Sequence, residues 1–179
     1  MTSKFSGDLE DIRVAPVTHN QIIWAMGIGG IIRGGIVALI TGVVGSVFHY
    51  IQRGEFLLIT HPFWTLYFVI TGGLIFAFCG IFVAFLAKTF DQLSAFSTFI
   101  LLPLTYLGGV FISIENLHPI WQTISHLNPL FYLINGFRYA ILGVSDVELM
   151  TSVIVTAVAV SITYVMAQIA LKKGSFNRW

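Results

Sequence analysis

Four unbroken apolar blocks, each more than 20 residues long, constrain this chain more than any other feature. They run over 21–48, 62–87, 92–112 and 149–171. A hydrocarbon core about 30 Å thick is crossed by roughly 20 apolar residues in a helix. Lipid offers no hydrogen-bond partner to open backbone, so each block is expected to be helical. The predicted fold is all-α, a polytopic membrane protein with four transmembrane helices in one membrane domain over residues 1–179. Composition agrees. Only 9% of the 179 residues are charged, against about 25% in soluble domains. Hydrophobic residues make up 56% and mean hydropathy is +0.88. These values exclude a disordered chain, a nucleic-acid binder and an ordinary water-soluble enzyme. A net charge of +1 suggests no strongly charged partner, and the lone Cys79 cannot form an internal disulfide.

Residues 1–20 do not read as a signal peptide, because Asp8, Glu10 and Asp11 lie there with no apolar run before the first span. Phe5, Leu9 and Ile12 make one apolar stripe at helical spacing. Pro16 should end that short helix, with Ala15 pushed towards extended geometry. Orientation follows the positive residues. With the N-terminus cytoplasmic, Lys4, Arg13, Lys88, Lys172, Lys173 and Arg178 are inside, and Arg53 and Arg138 are outside. That asymmetry predicts N-in, C-in and an even number of spans. Trp24, Tyr50, Trp64 and Trp179 near span ends suit interfacial anchoring.

Residues 115–148 join the third and fourth spans on the outer side and are too apolar for a free loop. His118-Pro119 and Asn128-Pro129 each resemble a helix start, with proline at the first helical position and Asn128 as N-cap. Ile120, Trp121, Ile124 and Leu127 share one face of the first piece. Leu130, Phe131, Ile134, Phe137 and Ile141 share one face of the second, interrupted by Gly136. Neither piece is long enough to span. A re-entrant hairpin packed on the neighbouring spans fits the pattern, and two helices lying flat at the interface are the alternative.

Few residues suggest chemistry. Arg33 lies inside the first block. It is read either as an interface or pathway charge, or as a side chain snorkelling to the inner headgroups. Gly30, Gly34, Ala38, Gly42 and Ser46 form a small-residue ladder at spacing four, which lets another helix approach closely within the chain or between chains. The histidines at 19, 49, 61, 118 and 126 have no metal-ligand spacing, so no metal site is expected. No acidic residue falls inside a block, which argues against a proton-coupled carrier. No GxxxxGK[ST] occurs, so ATP is not expected on this chain. No nucleophile-and-base arrangement is visible, and no catalytic residue is assigned.

The stretch LLPLTYLGGVFISIENLHPIWQTISHLNPLFYLINGFRYAILG at 101–143 resembles the signature region of the permease subunits of type-2 ATP-binding-cassette exporters. The Pro-Leu-Thr start, the Gly-Gly-Val-Phe run, the Leu-x-Pro-x-Trp step, the Asn-Pro-Leu turn and the Phe-Arg-Tyr near the end carry the likeness by their order and spacing. Lys4-Phe5-Ser6-Gly7-Asp8-Leu9-Glu10-Asp11 and Val14-Ala15-Pro16-Val17 resemble the cytoplasmic loop before the family's third span. Lys88-Thr89-Phe90-Asp91-Gln92 resembles its next cytoplasmic turn.

The resemblance implies a permease that works as a homodimer in the bacterial inner membrane with separate ATP-binding subunits, which hold the ATP and magnesium. Phe5, Gly7, Asp8, Leu9, Glu10, Ile12 and Pro16 would form the helix that couples to that ATPase. Pro119, Trp121, Asn128, Pro129 and Arg138 would belong to re-entrant helices capping the pathway. Gly30, Arg33, Gly34, Ala38 and Gly42 would mark a packing seam. The family has six spans, and the first two have no counterpart in this sequence. The chain is accordingly read as a fragment, a truncated form or one with a misassigned start. The other reading is a non-transporting membrane protein, a remnant or an assembly partner. The substrate is not readable.

Overall fold

The structure, a computed structural model, describes residues 18–56, 58–87, 89–110 and 118–173. All regular elements among them are helices: α1 His19–Arg53, α2 Pro62–Leu86, α3 Phe90–Phe96, a π-helical turn Ser97–Leu101, α4 Leu102–Leu107, α5 Pro119–His126, α6 Pro129–Leu142 and α7 Leu149–Lys173. Three of them, α1, α2 and α7, are long and apolar enough to cross a membrane.

Local chemistry sets the boundaries. Thr18 opens α1 with a reciprocal box: its backbone N–H donates to Gln21 Oε1 at 2.8 Å, and its hydroxyl accepts from the Gln21 N–H at 3.4 Å. Gly54 closes α1 at φ +75, a left-handed turn that glycine enters without a Cβ penalty. Pro62, Pro119 and Pro129 each stand in a first helical turn, where the missing N–H costs nothing.

The third apolar block is helical from Phe90 to Leu107, but it is not uniform. The Leu102 N–H reaches back five residues to the Ser97 carbonyl. Pro103 accounts for this wide turn, because it lacks an N–H and its ring crowds the carbonyl four residues back. A helical run of this length rises about 27 Å.

α2 is the centre of the bundle, with α1, α7 and α6 all packed on it. The main core joins Ile23 of α1, Leu74, Phe78 and Ile81 of α2, and Ala167 and Leu171 of α7. Trp24 meets Phe78 edge-on at 6.1 Å and Tyr164 at 5.8 Å, so this tryptophan knits three helices together. Gln168 donates to Asn20 Oδ1 at 2.8 Å and tethers the start of α1 to the end of α7.

The two hairpin helices bury different kinds of face. On α6 the expected face is used in part: Leu130 and Phe131 are buried, Ile134, Phe137 and Ile141 are half-buried, and Asn135, Gly136 and Ala140 are buried beside them. On α5 the structure departs from the sequence expectation. Its apolar face does not pack on the spans: Ile120, Trp121, Ile124 and Leu127 are all exposed, and the buried residue is Ser125. The hydroxyl turns inward on α5 and leaves the apolar stripe to meet lipid or another chain.

Candidate functional site

The α5–α6 segment is assembled around α6. Gly136, which interrupts its apolar face, receives the Phe68 ring, and a Cβ added there would overlap the ring atoms. Leu133 sits in the same way on Gly72 of α2, where an added Cβ would meet its Cδ2 at 3.3 Å. The far end of α6 returns to the start of α2. The His61 N–H donates to the Ala140 carbonyl at 2.9 Å, the Thr60 hydroxyl to the Ile141 carbonyl at 2.9 Å, and His61 stacks on Tyr139 at 5.0 Å. These bonds satisfy carbonyls that the last turn of a helix leaves open.

The polar side chains of α6 bind the surrounding turns. Asn128 is an N-cap, with Oδ1 accepting from the Leu130 N–H at 3.0 Å, and its Nδ2 donates to the Leu104 carbonyl of α4 at 2.7 Å. Buried Asn135 accepts from the Asp146 N–H at 2.9 Å. Arg138 donates to the Asp146 carboxylate at 3.0 Å and to the Gly109 carbonyl at 2.9 Å. Asn128, Asn135 and Arg138 therefore tie together α4, the turn behind it, α6 and the 143–148 connection. In an apolar medium such polar contacts act as glue between helices.

Sequence reasoning singled out Asn128 and Arg138 but missed Asn135, Asp146 and Thr60. Asn135 was visible as a lone amide within an apolar helix. The Arg138–Asp146 pair was not, because Gly143 at φ +74 turns the chain between them and removes helical spacing as a guide. Pro119 is exposed and begins α5, Trp121 is 49% exposed, and Pro129 begins α6.

The small-residue ladder divides in two. A Cβ on Gly30 would lie 2.7 Å from Ala77 Cβ, and one on Gly73 would lie 2.9 Å from the Ile31 Cα, so α1 and α2 touch backbone to backbone. Gly34 borders the same crossing: a Cβ there would lie 4.0 Å from the Gly73 Cα. Beyond it Ser46 is half-buried and Gly42 stands open. A Cβ on Gly42 would have no neighbour within 4 Å, and Leu39, Ile40, Val43, Val47 and Ile51 are exposed. Ala38 is half-buried and Arg33 is exposed. Phe5, Gly7, Asp8, Leu9, Glu10, Ile12 and Pro16, expected to couple to an ATPase, lie outside the described residues.

Between α2 and the α3–π run lies an apolar recess of about 310 Å³, lined by Phe76, Cys79, Val83, Leu93, Phe96 and Leu101, among others. Among the described residues its lining holds no charged group, and its only polar side chains are Ser94 and Ser97, fewer than a ligand site converges.

Three long apolar helices, packed together with a short helix held by polar contacts, define a polytopic helical membrane protein. The model of the ABC-2 type transporter family matches residues 1–142, and the chain belongs to that family. It is 38% identical over 172 residues to the inner membrane transport permease YadH of Escherichia coli K12, covering 96% of this chain and 65% of that protein. YadH of Shigella flexneri matches to the same extent. Nodulation protein J of Neorhizobium galegae is 38% identical over 79 residues, 43% of this chain and 30% of that protein. The chain thus spans about two thirds of the length of the YadH relatives. No solved structure matches.

Proposed function

We propose that this chain is the membrane permease part of an ATP-binding-cassette exporter in the bacterial inner membrane, with both termini cytoplasmic. It moves its cargo outward with ATP hydrolysed, with magnesium, on a separate subunit, and works as a homodimer. The observation that carries this reading is 38% identity to a transport permease along 96% of the chain. The helical run Phe90–Leu107 serves as a fourth span, since about 27 Å comes close to the thickness of the core. α5 and α6 form the re-entrant cap. Support for that comes from Leu133 on Gly72, ten residues and so about 15 Å down α2, and from the return of α6 to Thr60 and His61.

The mechanism is one of coupled populations. ATP binding closes the partner's nucleotide sites, and the segment holding Phe5, Leu9 and Glu10 moves with them. The spans then reorient, because ATP has different affinity for the two states. Affinity purification of the native permease in mild detergent, followed by mass spectrometry, is expected to retain a Walker-motif ATPase. Recovery without any such subunit would contradict the reading.

A further inference from the structure

The helical run Phe90–Leu107 is interrupted in its middle, and its two ends are held in different ways. At the start, the Thr89 hydroxyl accepts from the Gln92 N–H at 3.4 Å, and Leu93 is buried with Val83 and Ala87 at the end of α2. In the middle the ladder breaks. An α pattern would send the Leu102 N–H to the Thr98 carbonyl and an N–H at position 103 to Phe99. Leu102 goes to Ser97 instead, and Pro103 has no N–H to give. Two successive rungs are therefore missing from the α ladder. Prolines and π turns are where helices bend sharply. On the α2 side the turn borders the recess of about 310 Å³, to which it contributes Ser97 and Leu101. Among the described residues, a bend that way meets open space.

The far end rests on α6. The last turn of α4 tightens, with the Gly108 N–H reaching the Thr105 carbonyl, three residues back, at 3.2 Å. This frees the Leu104 carbonyl, which accepts from Asn128 Nδ2 at 2.7 Å. Five residues on, Gly109 stands at φ +80 and its carbonyl accepts from Arg138 at 2.9 Å. Between the two bonds Gly108 lies against Ile134, where an added Cβ would come 2.6 Å from the Ile134 Cδ1. α6 itself is fixed, by Phe68 in the Gly136 socket and by its bonds to Thr60 and His61. A run anchored in an apolar core at one end is thus tied by two side-chain hydrogen bonds at the other, with a weakened turn between.

We propose that Leu102–Gly109 swings on the Ser97–Leu101 turn between a caught and a released position, with Asn128 and Arg138 as the catch. The caught position is that of the structure. Phe90–Phe96 stays against α2 in both. One element with two positions is what an effector can bias, by favouring either one. The joint and the catch rest on contacts within the chain; that ATP shifts the balance between the positions rests on the exporter reading above.

The test measures spin-label distances in the full-length permease with its ATP-binding subunit, in lipid nanodiscs and a background that includes Cys79→Ala. Tyr106→Cys with Met150→Cys reports the outer end, and Ala95→Cys with Val165→Cys the inner one; all four native side chains are exposed. The outer pair should show a main distance and a minor one. Arg138→Gln should raise the minor fraction about three- to tenfold, the worth of one such hydrogen bond. Asn128→Ser, which keeps an N-cap acceptor but withdraws the Nδ2 donor, should do the same. The inner pair should not change. Pro103→Ala, which returns an N–H to the ladder, should reduce the outer pair to one distance even with Arg138→Gln present. An outer pair indifferent to both catch variants, or an inner pair that moves with it, would overturn the inference. Magnesium and ATP should shift the outer fractions of the unsubstituted protein. A catch-dependent shift with no response to nucleotide counts against the exporter reading and leaves the joint standing, whereas no catch dependence with the subunit retained sinks the joint alone.

Discussion

The second half of the first apolar block and α6 are similarly hydrophobic in sequence, yet one is bare and the other is braced. The second half of α1 presents Leu39, Ile40, Val43, Val47, Phe48 and Ile51 to its surroundings. α6, with a similar density of apolar residues, buries Leu130, Phe131, Asn135, Gly136 and Ala140. Apolarity does not separate them, because in lipid it provides no drive for one helix to seek another. Small residues facing small residues, and polar side chains with partners, do separate them. Gly30 has Gly73 and Ala77 opposite; Gly42 has nothing. Asn135 and Arg138 have Asp146; Arg33 has no partner among the described residues.

Four tests sharpen this contrast. The largest loss is expected from Gly136→Leu, because Phe68 is itself only 2% exposed and cannot withdraw. The cost falls at the upper end of the ~1–3 kcal/mol of overpacking, read as loss of monodisperse protein on fluorescence-detected gel filtration. Gly30→Val comes next, at about 1–2 kcal/mol, since it forces α1 off Ala77. Its counterpart Gly42→Val should leave thermal stability in detergent unchanged. Equal melting temperatures for the two valine variants would erase the distinction between the halves of α1.

Asn135→Ala should cost about 1 kcal/mol, by leaving the Asp146 N–H without its acceptor. A lower midpoint in detergent unfolding would register it. The smallest effect belongs to the Arg138–Asp146 pair, both partners of which retain some exposure. A double-mutant cycle with Arg138→Gln and Asp146→Asn should give about 0.5–1 kcal/mol of coupling. Strict additivity would mean that Arg138 acts through the Gly109 carbonyl alone.

Much of this architecture is legible in the sequence. Block length locates α1, α2 and α7, and the His-Pro and Asn-Pro steps locate the starts of α5 and α6. The family is legible from the ordered motif between 101 and 143. What escapes is partnership. The ladder from Gly30 to Ser46 reads as one seam, but only the neighbour decides where it is used, and Gly73 and Ala77 lie on another helix. The face of α5 is legible as amphipathic but not as outward, because Ser125 and its apolar neighbours give the same periodicity whichever side meets the bundle. Gly136 looks like an interruption in a stripe and is the socket for Phe68.

One reconstitution tests the exporter reading most directly. The full-length permease and its ATP-binding subunit are placed together in liposomes, and ATP hydrolysis is compared with that of the subunit alone. Faster hydrolysis with the permease present, lost in Glu10→Ala or Pro16→Ala while membrane insertion persists, is the expected result. The same rate with and without the permease would contradict it.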